Sequence, residues 1–178
     1  MNTLNRNIDL DYVKHTATSR KIAPCEALFA TLLSALAEEG LLTQGSVNYI
    51  ARRMIPAFYT YLKVLGYLGN TSSQSNEIEK FRAILVSVNE ALKLGDKVSL
   101  EKIDENTIRA CFGGSTCRYC PKGVGLAEIQ DSVCPFPRLL EGIAELEGVP
   151  VRLIHKPTVI KRVGELCCTE YRLGTAIK

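Results

Sequence analysis

A chain of 178 residues with 46% hydrophobic residues is long enough to bury the core of one domain. Its formal charge of +3 is too small to demand a nucleic-acid partner. No signal-type segment and no run of about 18 apolar residues occurs, so a membrane partner is not expected and a cytoplasmic location is. Seven cysteines and no tryptophan are present. In a reducing compartment, clustered thiols mean metal binding or reactivity more often than disulfides.

Residues 1–20 are polar and mixed in charge and read as an N-terminal arm. Residues 21–178 read as a single α+β domain, with a helical part over 21–95 and a sheet and cysteine-rich part over 96–178. The first helix is expected from Pro24, which suits a first turn, to Glu39, with Gly40 as its stop. A second runs from about Ser46, its cap, to Tyr67. Val47, Ile50, Met54, Phe58, Tyr61, Leu62 and Leu65 repeat at helical spacing there. Pro56 lies inside the pattern and predicts a kink or a break. Arg52-Arg53 reads as a solvated helix face rather than a nucleic-acid-reading one. Residues 70–75 read as a loop, and a third helix follows over about 76–94.

The pattern then changes to strands. Lys97–Ile103 and Thr107–Phe112 flank the turn-forming Asp104-Glu105-Asn106 and read as a hairpin. Ile108, Ala110 and Phe112 alternate with Arg109 and Cys111, so Cys111 is expected to face away from the apolar side. Pro135–Glu147 is helical again. Val149–Leu153, an extended segment at 158–163, and Leu166–Leu173 complete the chain. In the last strand Cys167 and Cys168 point to opposite faces, so at most one of them reaches a given site. The expected architecture is an antiparallel four-stranded sheet packed with the N-terminal helices and one crossover helix.

The chemistry concentrates between Thr107 and Pro135. Cys117 and Cys120 form a Cys-x-x-Cys pair, whose turn can aim two sulfurs at one soft metal, and Cys134 brings a third from the next element. Cys134 opens a helix, where free N–H groups favour a thiolate. The bland alternative is buried thiols packed as small hydrophobes; a redox dithiol is the third. A phosphate loop is not found, because Gly113-Gly114 and Gly123-Val124-Gly125 lack the rest of its pattern. His15 and His155 stand in no nucleophile–base signature, so an enzyme is not the preferred reading.

Residues 107–173 resemble the 4-vinyl reductase domain family, whose archaeal members are described as predicted hydrocarbon-binding proteins. Its relatives include aromatic-sensing regulator domains and, more remotely, TRAPP subunits. The likeness is carried by CPFPRLLEGIAELEGVPV and PTVIKRVGELCCTEYRL. Cys134, Gly164 and Cys168 match the family's Cys, Gly and Cys positions. Ile160 and Pro157 stand where the family places a further Cys and a Glu of its zinc site, and Cys117 and Cys120 are the candidate replacements. The resemblance implies helices and a sheet enclosing an apolar pocket, ligand binding or sensing rather than catalysis, and a homodimer.

The resulting metal set is Cys117, Cys120, Cys134 and Cys168, a closed four-thiolate zinc site. Cys111, His155 and Cys167 are alternatives for the fourth ligand. An iron–sulfur cluster is the alternative cofactor; Cys120-Pro121 and Cys134-Pro135 hint at it, although the spacing matches no common ferredoxin run. The expected function is binding or sensing of a small hydrophobic or aromatic ligand, with signalling through a protein partner. A metal- or thiol-dependent reductase and a scaffolding subunit are the alternatives. Around Tyr49, Phe58, Tyr61 and Phe81 the helical stripes read as core, with some residues expected on the pocket wall.

Overall fold

The computed structural model describes residues 8–69, 76–130, 133–155 and 158–174. The expected loop at 70–75 lies outside them. Within the expected N-terminal arm, Leu10–Arg20 forms a helix, α1. Asp9 explains its start, since its carboxylate accepts from the N–H groups of Asp11 and Tyr12. Lys21, in the left-handed region at φ 51°, ends it.

Helix α2 spans Pro24–Glu38; the Glu26 carboxylate accepts the N–H of Ala23 at 2.7 Å. Helix α3 spans Gln44–Val64. Its cap is Thr43 rather than Ser46. The two residues form a reciprocal capping box, Thr43 N–H to Ser46 Oγ at 2.8 Å and Ser46 N–H to Thr43 Oγ1 at 3.2 Å. Of the kink or break expected at Pro56, the break does not occur: α3 continues through it. One lost N–H bond is outweighed by the face that buries Val47, Ala51, Ile55 and Leu62. Helix α4 spans Glu77–Leu92 and is capped by Asn76.

Strands β1 (Val98–Lys102) and β2 (Thr107–Phe112) form the expected hairpin. Helix α5 (Phe136–Leu146) then crosses to β3 (Val151–Leu153), followed by β4 (Lys161–Val163) and β5 (Leu166–Leu173). The sheet has five antiparallel strands rather than four. Its order is β1-β2-β5-β3, with β4 also paired to β5. The fifth strand arises because β5 is eight residues long: β3 pairs with its C-terminal half and β4 with its start.

One core joins α3, α4 and α5 to the inner face of the sheet through Phe81, Ile84, Ile108, Ala110, Phe112, Leu140 and Tyr171. Burying side chains of this size stabilises each by about 1.5–3 kcal/mol. The Tyr171 hydroxyl donates to the Pro137 carbonyl at 2.9 Å, pinning the start of α5 to the central strand. A smaller cluster of Leu33, Leu42, Val47 and Val133 joins α2 to the start of α3.

Candidate functional site

Beyond β2 the chain turns sharply under the β4–β5 turn. Gly114 sits at φ +66°, and a Cβ there would lie 1.7 Å from the Glu165 carbonyl oxygen, so only glycine fits. Ser115 N–H bonds that carbonyl at 2.8 Å. This contact brings the cysteine loop over the start of β5, where Cys167 lies opposite Phe112. A cavity of about 1060 Å³ opens beside it, lined by Cys117, Cys120, Cys134 and Cys167 together.

A backbone N–H acts on each of these four sulfurs. Gly123 N–H donates to Cys120 Sγ at 3.3 Å. The backbone groups of Tyr119, Phe136 and Gly114 favour the charged forms of Cys117, Cys134 and Cys167 respectively, against the larger effect of burial. The amide of Gln44, in the first turn of α3, holds Cys134 from both sides: it donates to the Cys134 carbonyl and accepts its N–H, each at 2.9 Å. Two further clamps fix the loop to the N-terminal helices. The Arg20 guanidinium donates to the Cys117 carbonyl at 2.7 Å, and the Tyr12 hydroxyl donates to the Gly123 carbonyl at 3.2 Å.

Desolvation pushes the Cys117 thiol up to about 12 and the Cys134 thiol well above its ordinary value. Cys167 is raised for the same reason. Charges on the neighbouring sulfurs raise all three further; Cys134 responds to Cys117, Cys167 and Cys120. Arg20 opposes the rise at Cys117 and Cys167, and Arg162 opposes it at Cys167. Without metal the buried thiols therefore hold their protons. Among the described residues the cavity wall carries Arg20, Lys122 and Arg162 and no carboxylate. No group of three or more His, Cys, Asp or Glu among them is arranged to hold a metal ion.

Of the anticipated ligands, Cys117, Cys120 and Cys134 face the cavity. Cys168 does not. It forms a disulfide with Cys111, directly opposite it in the β2–β5 ladder, on the sheet face away from the helices. The alternation of β5 turns Cys167, the other candidate, inward instead. Cys111 is excluded as fourth ligand by the same bond, and His155 lies on the cavity wall. The zinc set implied by the 4-vinyl reductase resemblance does not fit: Ile160 has no donor atom, Cys168 is bonded elsewhere, and Pro157 lies outside the described residues.

The apolar wall is a row of rings, Phe29–Tyr119–Phe136–Phe112, with centroids 5.8, 5.6 and 6.4 Å apart. Tyr119, Phe136 and Phe112 face the cavity. Helical spacing pointed elsewhere: Tyr49 and Tyr61 are exposed, and Phe81 is fully buried in the core. Tyr119 carried a signal in its position between Cys117 and Cys120; Arg20 and Tyr12 carried none. No described helix is long and apolar enough to cross a membrane.

The model of the MJ0207 family matches residues 40–173 of the chain. No curated protein and no solved structure matches it.

Proposed function

The chain belongs to the MJ0207 family, and from that premise we propose that it is a small-molecule-binding or sensing domain, akin to the 4-vinyl reductase type, whose cavity carries a thiolate-bound metal. The ligand is hydrophobic or aromatic. Cys117, Cys120, Cys134 and Cys167 hold the metal, Cys167 taking the place first assigned to Cys168. One observation carries the reading: four sulfurs from three separate segments, each supplied with a backbone N–H, surround one aromatic-walled cavity. Plain core thiols need no such donors, whereas thiolate ligands are tuned by them. The cavity volume of about 1060 Å³ suits a ligand of drug size or somewhat larger.

Metal content of the purified protein tests the first half. Cys117→Ser and Cys167→Ser lose the metal, while Cys168→Ala retains it; equal loss in all three sinks the assignment. Fluorescence titration with phenylnaphthylamine, a neutral apolar probe, tests the second. Saturable binding is expected, weakened about tenfold or more by Phe136→Ala as an aromatic wall contact is removed. Binding that ignores Phe136 counts against the cavity.

A further inference from the structure

We propose that the ligand of the cavity is an amphipathic organic acid, its carboxylate held by Arg20 and Arg162 and its apolar body lying against Tyr119 and Phe136. The inference rests on the reading of the cavity as a ligand site and names the class of ligand; it does not require the metal.

Three cations stand on the cavity wall, Arg20, Lys122 and Arg162. The fold sets where the two arginines reach. Arg162 in β4 lies directly opposite Cys167 in β5. Cross-strand partners share one face of a sheet, so Arg162 is carried to the side on which Cys167 meets the cavity. Arg20 closes α1 and reaches over to the cysteine loop. It donates to the Cys117 carbonyl at 2.7 Å. It also lies against the backbone of Gly123, where a Cβ would stand 2.7 Å from one of its nitrogens. Lys122, next to Gly123, donates to the Gln130 carbonyl at 2.7 Å.

These bonds position Arg20 and Lys122 without neutralising them, because a carbonyl carries no charge. The Cys117 carbonyl takes one of the five N–H donors of Arg20. A guanidinium meets a planar carboxylate with two parallel donors. A neutral hydrocarbon in the same place would cover charged groups without pairing them, which is costly. The rest of the wall suits the other end of such a molecule. The rings of Tyr119 and Phe136 lie 5.6 Å apart, and the volume of about 1060 Å³ has room for a ring system and its head group.

The sign of the charge does not depend on metal. Free thiols are neutral near pH 7, and among the described residues no carboxylate on the wall opposes the three cations. Four thiolates around a divalent ion would leave two negative charges, one fewer than the cations. A singly charged anion is therefore favoured in both states, and more strongly in the metal-free one.

The test is calorimetric titration of the full chain with naphthoate and with naphthylmethanol, which share a ring system and differ in the charged head. Naphthoate is expected to bind about tenfold or more tightly. Arg162→Gln and Arg20→Gln each bring that ratio toward one, whereas Arg52→Gln, exposed on α3, keeps it. Arg20 also clamps the loop; if Arg20→Gln loses both compounds the loop has collapsed, and Arg162→Gln decides alone. Equal binding of the two compounds to the wild type overturns this inference and leaves the cavity as an apolar site. A naphthoate preference that survives Arg162→Gln overturns it as well. Binding of neither compound overturns both this inference and the ligand-binding reading.

Discussion

Cys117 is the residue on which burial acts most legibly. Its thiol is pushed up from the ordinary 9.0 to about 12, so the folded chain holds that proton more tightly than the unfolded chain does. The resulting stability is intact below pH 9 and is lost as pH rises toward 12. Urea midpoints of the metal-free protein are therefore expected to fall from about pH 9 upward, and Cys117→Ala to flatten that fall. Metal must displace the same protons. Chelator competition should show affinity weakening as pH is lowered, by up to about four powers of ten per pH unit if all four thiols release a proton. At Gly114, a Cβ would meet the Glu165 carbonyl and the φ of +66° disfavours any side chain. Gly114→Ala is expected to cost about 1–3 kcal/mol in chemical denaturation and to lower metal content, because the same residue supplies the backbone donor to Cys167.

At the level of elements, α3 and α5 approach closely because Gly142 lacks a Cβ; one added there would lie 2.1 Å from Cδ1 of Ile55. Gly142→Leu should push the two helices apart and lower stability by about 1–3 kcal/mol, measured by thermal or urea unfolding. The elements themselves were legible from local signals. Pro24, the Asp104-Glu105-Asn106 turn and the alternation in β2 and β5 place a helix start, a hairpin and two strand faces from residues adjacent in sequence. The course of α3 through Pro56 was not legible, since it is decided by the tertiary burial of Val47, Ala51, Ile55 and Leu62. The choice between Cys167 and Cys168 shows a similar limit. Alternation separates the two, but it cannot say which face meets the cavity. That depends on Phe112 lying opposite Cys167 and on Gly114 folding the loop over it. Arg20, 97 residues from the carbonyl it holds, leaves no trace in the spacing.

At the level of the whole molecule, the main core of α3, α4, α5 and sheet is distinct from the smaller cluster under α2, and the cavity wall draws on both. Metal removal is therefore expected to loosen residues 113–130 while the core holds. Hydrogen exchange should show faster exchange in that loop and little change in β2 and β5. Helix α3 and its C-cap leave Ile50, Met54, Tyr61 and Leu65 exposed at helical spacing, the face on which the homodimer implied by the 4-vinyl reductase resemblance would be expected to close. Tyr61→Glu with Leu65→Glu should halve the mass seen by light scattering; a monomeric wild type removes the dimer. Thiol titration of the denatured, unreduced protein should find the five free cysteines, against seven after reduction.

Cys167 and Cys168 are joined by one peptide bond, yet their sulfurs answer to different chemistry. Thiol–disulfide exchange needs a thiolate to strike a sulfur directly, and the sheet stands between the inward thiol and the outward Cys111–Cys168 bond. The strand thus works as a partition: an oxidant or reductant acting at the outer pair does not reshuffle the inner four. The partition is only one residue thick. A single insertion in β5 between Cys168 and Tyr171, with Tyr171 held in the core, would turn both cysteines to the opposite faces, placing the wrong sulfur in each compartment.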